Sequence, residues 1–90
     1  MAFEGMDPGQ VQAAIGQLNN SNQSLQQCQQ TLSKVAGETP GMWKGPDAQK
    51  FVSDLQGAKS DIARAAQHVT QLIQHAKSNL SAQTQTSSAY

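Results

Sequence analysis

The sequence predicts an all-α protein, an antiparallel two-helix hairpin that dimerises into a four-helix bundle. Two segments carry apolar residues at alternating intervals of three and four, the spacing typical of packed helices. Residues 37–45 lie between them and are rich in glycine and proline, as expected for a turn. Ninety residues suffice for only one small domain, so both helices contribute to the same core.

The first helix is predicted over about residues 7–36, after a flexible N-terminus at residues 1–6. Asp7 is a suitable N-cap, Pro8 suits the first turn and Gln10 completes a capping-box spacing. Gly37 is the expected stop. The apolar seam has two polar members, Asn22 and Gln29, and comprises Val11, Ile15, Leu18, Asn22, Leu25, Gln29, Leu32 and Ala36.

The turn at residues 37–45 holds the only tryptophan, Trp43, two positions before Gly45. Glycine permits backbone conformations closed to other residues, and Pro46 suits the start of the next helix. Two roles are open for Trp43: a hydrophobic plug at the end of the hairpin, which we favour from spacing alone, and a surface recognised by another protein. The two roles are compatible.

The second helix is predicted over about residues 46–80, followed by a disordered tail at 81–90. Its seam comprises Ala48, Phe51, Leu55, Ala58, Ile62, Ala65, Val69, Leu72 and Ala76. A flanking row of Val52, Ala66, Ile73 and Leu80 is interrupted by Lys59. Two helices that face only each other would leave part of this wide apolar face exposed to solvent. We therefore expect a dimer, in which a second hairpin covers it. The hairpin or dimer core is therefore expected to contain Val11, Ile15, Leu18, Leu25, Leu32, Phe51, Leu55, Ile62, Val69 and Leu72.

The remaining residues give no pattern typical of a catalytic or metal-binding site. Cys28 is a lone cysteine, expected as a small buried hydrophobe. His68 and His75 are seven residues apart, too far for the usual helical pair of metal ligands. With no nucleophile–base set, metal cluster or phosphate-binding loop, we expect no enzyme, no cofactor and no small-molecule substrate. Zero net charge also argues against nucleic acid as a partner.

The segment MWKGPDAQKF resembles the WXG100 family of ESAT-6/CFP-10-like proteins. Trp43 and Gly45 match its Trp-x-Gly motif, and Ala48 and Phe51 match the apolar positions that follow. The resemblance implies export, without a cleavable signal peptide, by the type VII (ESX) secretion system of actinobacteria and other Gram-positive bacteria. It also implies a homodimer or heterodimer with a related protein, recognised by a membrane ATPase, with Trp43 and Gly45 taking part in export.

One departure from the family pattern bears on the partner. Many exported members carry Tyr-x-x-x-Asp/Glu after the second helix, whereas here the only tyrosine is Tyr90 and no acidic residue follows Asp61. Either a partner supplies the signal or the chain uses a variant of it. We favour a heterodimer in the cell, and a homodimer of the purified chain stays open. The alternatives to an exported effector are a chaperone-like adaptor for a signal-bearing partner and a membrane-active protein. The latter is disfavoured by the lack of a basic polar face.

Overall fold

A computed structural model describes the backbone of residues 7–88 and the side chains of residues 7–82. It contains two helices, α1 at Pro8–Met42 and α2 at Pro46–Ser88, joined by residues 43–45. They pack antiparallel into a rod of 68 × 16 × 15 Å. The predicted all-α hairpin is confirmed. The flexible segment expected at residues 1–6 and the last two residues of the predicted tail lie outside the described residues.

The start of α1 follows the predicted cap. Asp7 has an extended backbone, and its Oδ1 accepts hydrogen bonds from the backbone N–H groups of Gly9 at 3.0 Å and Gln10 at 3.2 Å. These two donors have no partner inside the helix, so the carboxylate satisfies groups that would otherwise face water.

Both helices are longer than the sequence predicted. The stop expected at Gly37 is wrong, because α1 continues through Gly37 and Pro40 to Met42. Ala36 and Thr39 are buried, so packing against α2 outweighs the local preference of glycine and proline to end a helix. The turn is shortened from residues 37–45 to 43–45. At the other end α2 continues eight residues beyond the expected end at residue 80, to Ser88.

The hairpin interface has a repeating pattern on each helix. In a two-helix hairpin a side chain is covered mainly by the opposite helix, so burial shows which residues face it. On α2 the buried or half-buried residues are Ala48, Val52, Leu55, Ala58, Lys59, Ile62, Ala63, Ala66, Val69, Ile73, Ala76 and Leu80. The row predicted as a flank therefore belongs to the hairpin, and Lys59 is half-buried within it.

The most buried residues lie towards the two ends of the hairpin. Ala36, Thr39 and Ala48 are buried at the turn, and Ile15 and Ile73 are buried towards the free ends of the helices. Between them the apolar residues are half-buried, and two polar contacts join the helices. Asn22 donates from Nδ2 to the Thr70 hydroxyl at 2.9 Å, and Gln29 donates from Nε2 to the backbone carbonyl of Lys59 at 3.4 Å.

Candidate interaction site at the turn and on the second helix

The connection between the helices is held by the backbone. Trp43 has an extended conformation, and its N–H donates to the carbonyl of Thr39 at 2.9 Å, which closes the last turn of α1. The Thr39 hydroxyl donates to the carbonyl of Val35 at 2.7 Å, so this fully buried side chain has its polar atom satisfied. The turn therefore presents Trp43 in a fixed position.

Gly45 is required by the path of the backbone. Its φ is +105°, a conformation that residues with a Cβ rarely adopt. A Cβ added at Gly45 would meet no atom within 4 Å, so the requirement is conformational and not one of space. Its carbonyl accepts from the N–H of Gln49 at 3.1 Å, and α2 begins at the next residue, Pro46.

The ring of Trp43 rests against Phe51. The two ring centroids are 5.4 Å apart with an interplanar angle of 42°, within the range of favourable aromatic pairs. Trp43 remains 44% exposed and Phe51 39% exposed. The plug is thus partial, because much of the indole stays open to solvent beside a second exposed aromatic ring.

A shallow groove of about 300 Å³ lies beside Trp43. Its lining includes Pro40, Trp43, Ala48, Gln49 and Val52, and Ala48 is buried. The volume is at the lower limit of small-molecule sites, and the groove is open on one side. It suits contact with an apolar side chain of another protein better than enclosure of a substrate.

A second row of apolar residues runs along α2 from the turn. It consists of Phe51, Ala58, Ala65 and Leu72, and we call it the outer stripe. Phe51, Ala65 and Leu72 are exposed, Leu72 to 57%, whereas Ala58 is half-covered. Met42, 69% exposed, adds apolar surface at the turn. Successive members of the stripe lie about 10 Å apart along the helix, the spacing at which a partner helix can contact them.

The predicted core residues divide between two faces of the hairpin. Phe51 and Leu72 lie on the outer stripe. The others are buried or half-buried between the helices, namely Val11, Ile15, Leu18, Leu25, Leu32, Leu55, Ile62 and Val69.

Thr39, the most buried residue of the turn, was missed by the sequence prediction. The signal was present, because the alternation of four and three in α1 continues from Leu32 through Ala36 and Thr39 to Trp43.

Residues considered for chemistry are scattered over the surface. Cys28 is exposed, so its prediction as a buried hydrophobe is wrong. His68 and His75 are exposed, and Arg64 pairs with Asp61 one turn away. Within the described residues no group of three or more His, Cys, Asp or Glu side chains is placed to hold a metal ion. Across the same residues no helix is long and apolar enough to cross a membrane.

A chain of two antiparallel helices, with an aromatic ring presented at the connecting turn, belongs to the class of small helical-hairpin proteins. The chain is a member of the WXG100 family, since the model of that family, described as proteins of 100 residues with WXG, matches residues 5–86. Proteins of this family are secreted by type VII systems and typically form dimers with related members. Searches of curated proteins and of solved structures found no match.

Proposed function

We propose that this chain is a substrate of a type VII secretion system, exported as a dimer and acting through protein–protein contacts. The observation that carries the proposal is the half-exposed side chain of Trp43. The backbone N–H of Trp43 donates to the Thr39 carbonyl, and its ring rests against Phe51. A large aromatic group fixed in an exposed position suits recognition by another protein, because little conformational entropy is lost on binding.

The dimer in this proposal is supported by the small number of residues that a single hairpin buries. Apart from Thr39, the buried residues among those described are Ile15, Ala36, Ala48 and Ile73. Two of these are alanines, which remove little apolar surface from water. A second hairpin covering the outer stripe would enlarge the core, and the resulting four-helix bundle is a common solution for helices of this length.

Recognition by the exporter is assigned to the turn. We place Trp43 and Gly45 at the contact with the membrane ATPase of the secretion system, Trp43 as the contacting group and Gly45 as the residue that sets its position. The role requires no catalysis by this chain.

Export in a host with a functional type VII system tests the proposal. Trp43→Ala should leave the helical content measured by circular dichroism nearly unchanged and remove the protein from the culture filtrate while it accumulates in cells. Met42→Ala is the matched control, because Met42 is the adjacent residue and is more exposed than Trp43. Normal secretion of Trp43→Ala would refute the recognition role.

An adaptor that escorts a signal-bearing partner is a second candidate. It is supported by the lack of any Asp or Glu in residues 62–90, the part of the second helix and its tail that the sequence gives. In that case export would require co-expression of a related chain that carries the signal. Equal export with and without such a chain would exclude the adaptor.

A further inference from the structure

The end of α1 is helical although its own sequence disfavours a helix. Residues 37–42 read GETPGM, and all of them belong to α1. Inside a helix a glycine lowers the helical population roughly fivefold relative to alanine, and a proline lowers it roughly 150-fold. Gly37 and Pro40 alone therefore disfavour the helical form of this stretch by roughly several hundredfold. A contact from outside the stretch is needed to keep it helical.

Thr39 provides that contact from the least favourable position in the stretch. It directly precedes Pro40, whose ring disfavours helical backbone in the residue before it and whose nitrogen has no N–H to donate to Ala36. Yet Thr39 has the lowest exposure among the described residues, 0%. Its burial at the start of α2 is thus the favourable term that local preference lacks.

Thr39 also connects the hairpin core to Trp43. Its side chain is buried with Ala48 of α2, and both residues line the groove beside the turn. Its hydroxyl donates to the Val35 carbonyl at 2.7 Å, so burial leaves this polar atom satisfied. Its carbonyl accepts from the Trp43 N–H at 2.9 Å, the bond that closes α1. The position of Thr39 is therefore transmitted to Trp43 through the last turn of the helix.

We propose that Thr39 is the positioning residue of the recognition site at the turn. The inference rests on the proposed role of Trp43 and adds the condition under which this residue is presented. While Thr39 is buried, residues 37–42 are helical and Trp43 is held against Phe51. When Thr39 leaves its site, the same residues unwind and lengthen the connection between the helices, while the rest of the hairpin stays folded.

The two states differ only at one end of the hairpin. Beyond the turn the helices are held by Ile15 and Ile73 and by half-buried apolar residues, none of which lies in residues 37–42. Opening of one end therefore costs less free energy than unfolding of the whole chain. In the unwound state Trp43 has no fixed position, so the affinity of its partner falls in proportion to the helical fraction. Recognition at the turn thus depends on a local equilibrium.

Hydrogen exchange of the full chain, read by mass spectrometry, tests this equilibrium. Thr39→Gln introduces a good helix former whose amide cannot be buried there without a partner, so the local preference improves while the anchor is lost. Exchange over residues 37–43 should become at least roughly 30-fold faster, whereas residues 18–30 should change by less than about twofold. Equal acceleration of both segments would show that Thr39 only stabilises the core. That result, or no acceleration at all, overturns the proposal.

Two further variants show whether burial is the cause. Thr39→Val keeps the buried shape and loses only a hydroxyl that bonds within its own helix, so the slow exchange of residues 37–43 should be retained. Glu38→Gln is the matched control, because it places the same amide at the neighbouring exposed position, and exchange should stay slow. Thr39→Val exchanging as fast as Thr39→Gln would overturn the role of burial.

Rescue by better helix formers tests whether Thr39 acts through the helix. In the Thr39→Gln chain, Gly37→Ala with Gly41→Ala should restore the helical population roughly 5- to 25-fold. A Cβ at either glycine meets no atom within 4 Å. Time-resolved fluorescence anisotropy of Trp43, the only tryptophan, should show a fast component that grows about twofold in Thr39→Gln and shrinks again on rescue. A mobile Trp43 beside a restored helix would overturn the positioning role.

Secretion assays separate this inference from the proposed function. Secretion of Thr39→Gln should fall at least about fivefold and recover with the two alanines, because recognition follows the helical fraction. If Trp43→Ala blocks secretion and an unwound Thr39→Gln does not, recognition by Trp43 stands and its control by Thr39 is overturned. Normal secretion of Trp43→Ala refutes recognition at the turn, while exchange and anisotropy still decide whether Thr39 positions Trp43.

Discussion

Asn22 of α1 donates a hydrogen bond to the hydroxyl of Thr70 of α2 at 2.9 Å, across the interface between the two helices. The other polar atom of the same side chain, Oδ1, is buried and has no partner. A buried polar atom without a hydrogen bond costs free energy, so Asn22 is retained at the expense of stability. A polar residue in an apolar seam can fix the register in which two helices pair.

Asn22→Leu should raise the free energy of unfolding by about 1–2 kcal/mol, because it removes the unsatisfied oxygen and extends the apolar seam. Thr70 is exposed and can bond to water instead. Urea unfolding at one fixed chain concentration measures the effect, since the stability of a dimer depends on concentration. Asn20→Leu, at an exposed position of the same helix, should change the free energy by less than about 0.5 kcal/mol. A less stable Asn22→Leu would show that the amide contributes to stability.

Two glycine substitutions should act in opposite directions. Gly45→Ala should lower the free energy of unfolding by about 1–2 kcal/mol, because alanine resists the positive φ of this position. Gly37→Ala should raise it by about 0.5–1 kcal/mol, because Gly37 lies inside α1 and a Cβ there meets no atom within 4 Å. Thermal unfolding of the two variants in the same buffer checks the prediction. A change of the same sign in both would contradict the assigned roles.

Neighbouring residues of α2 should separate folding from dimerisation. Ile73 is buried in the hairpin, so Ile73→Ala should cost about 2–3 kcal/mol of folding stability. Leu72 lies on the outer stripe, so Leu72→Ala should leave the helical content intact and weaken the dimer roughly 10- to 100-fold. Urea unfolding followed by circular dichroism at one fixed chain concentration measures the stability, and sedimentation equilibrium measures the dimer. An unchanged dimer in Leu72→Ala would exclude the outer stripe as the interface.

The fluorescence of Trp43 should report on its contact with Phe51, because Trp43 is the only tryptophan. Phe51→Ala should shift the emission maximum to longer wavelength, since the indole loses its neighbouring ring and gains contact with water. Lys50→Ala, one residue away and exposed, is the control and should leave the maximum in place. A spectrum unaffected by Phe51→Ala would mean that the two rings are not in contact in solution.

The hairpin could be predicted from sequence because the alternation of three and four persists across both helices and stops at one central segment. The sequence could not show which of two neighbouring rows of α2 packs against α1. The row with Phe51 and Leu72 is uninterrupted, whereas the row with Val52 and Ile73 contains Lys59, and periodicity ranks the uninterrupted row first. The hairpin nevertheless uses the second row, in which a lysine stem is tolerated at a half-buried position.

The bounds of the turn could not be predicted from local sequence signals either. Gly37 and Pro40 are local stop signals, but the burial of Ala36 and Thr39 against α2 is a tertiary effect that no local signal includes. The conformation of Gly45 and the pairing of Trp43 with Phe51 also depend on where α2 begins after the shortened turn. The motif residues were identified from sequence, and their geometry required the structure.

The three-residue connection also determines how the hairpin yields to force. Thr39 and Ala48 are nine residues apart in the chain, whereas Ile15 and Ile73 are 58 apart, so contacts near the connection close short loops and contacts at the open end close long ones. A pull on the end of α2 loads the open end first and separates the helices one layer at a time towards Trp43. Sequential peeling of this kind needs far less force than shearing all layers together, so the hairpin resists a pull on the end of α2 much less than a pull along its whole length.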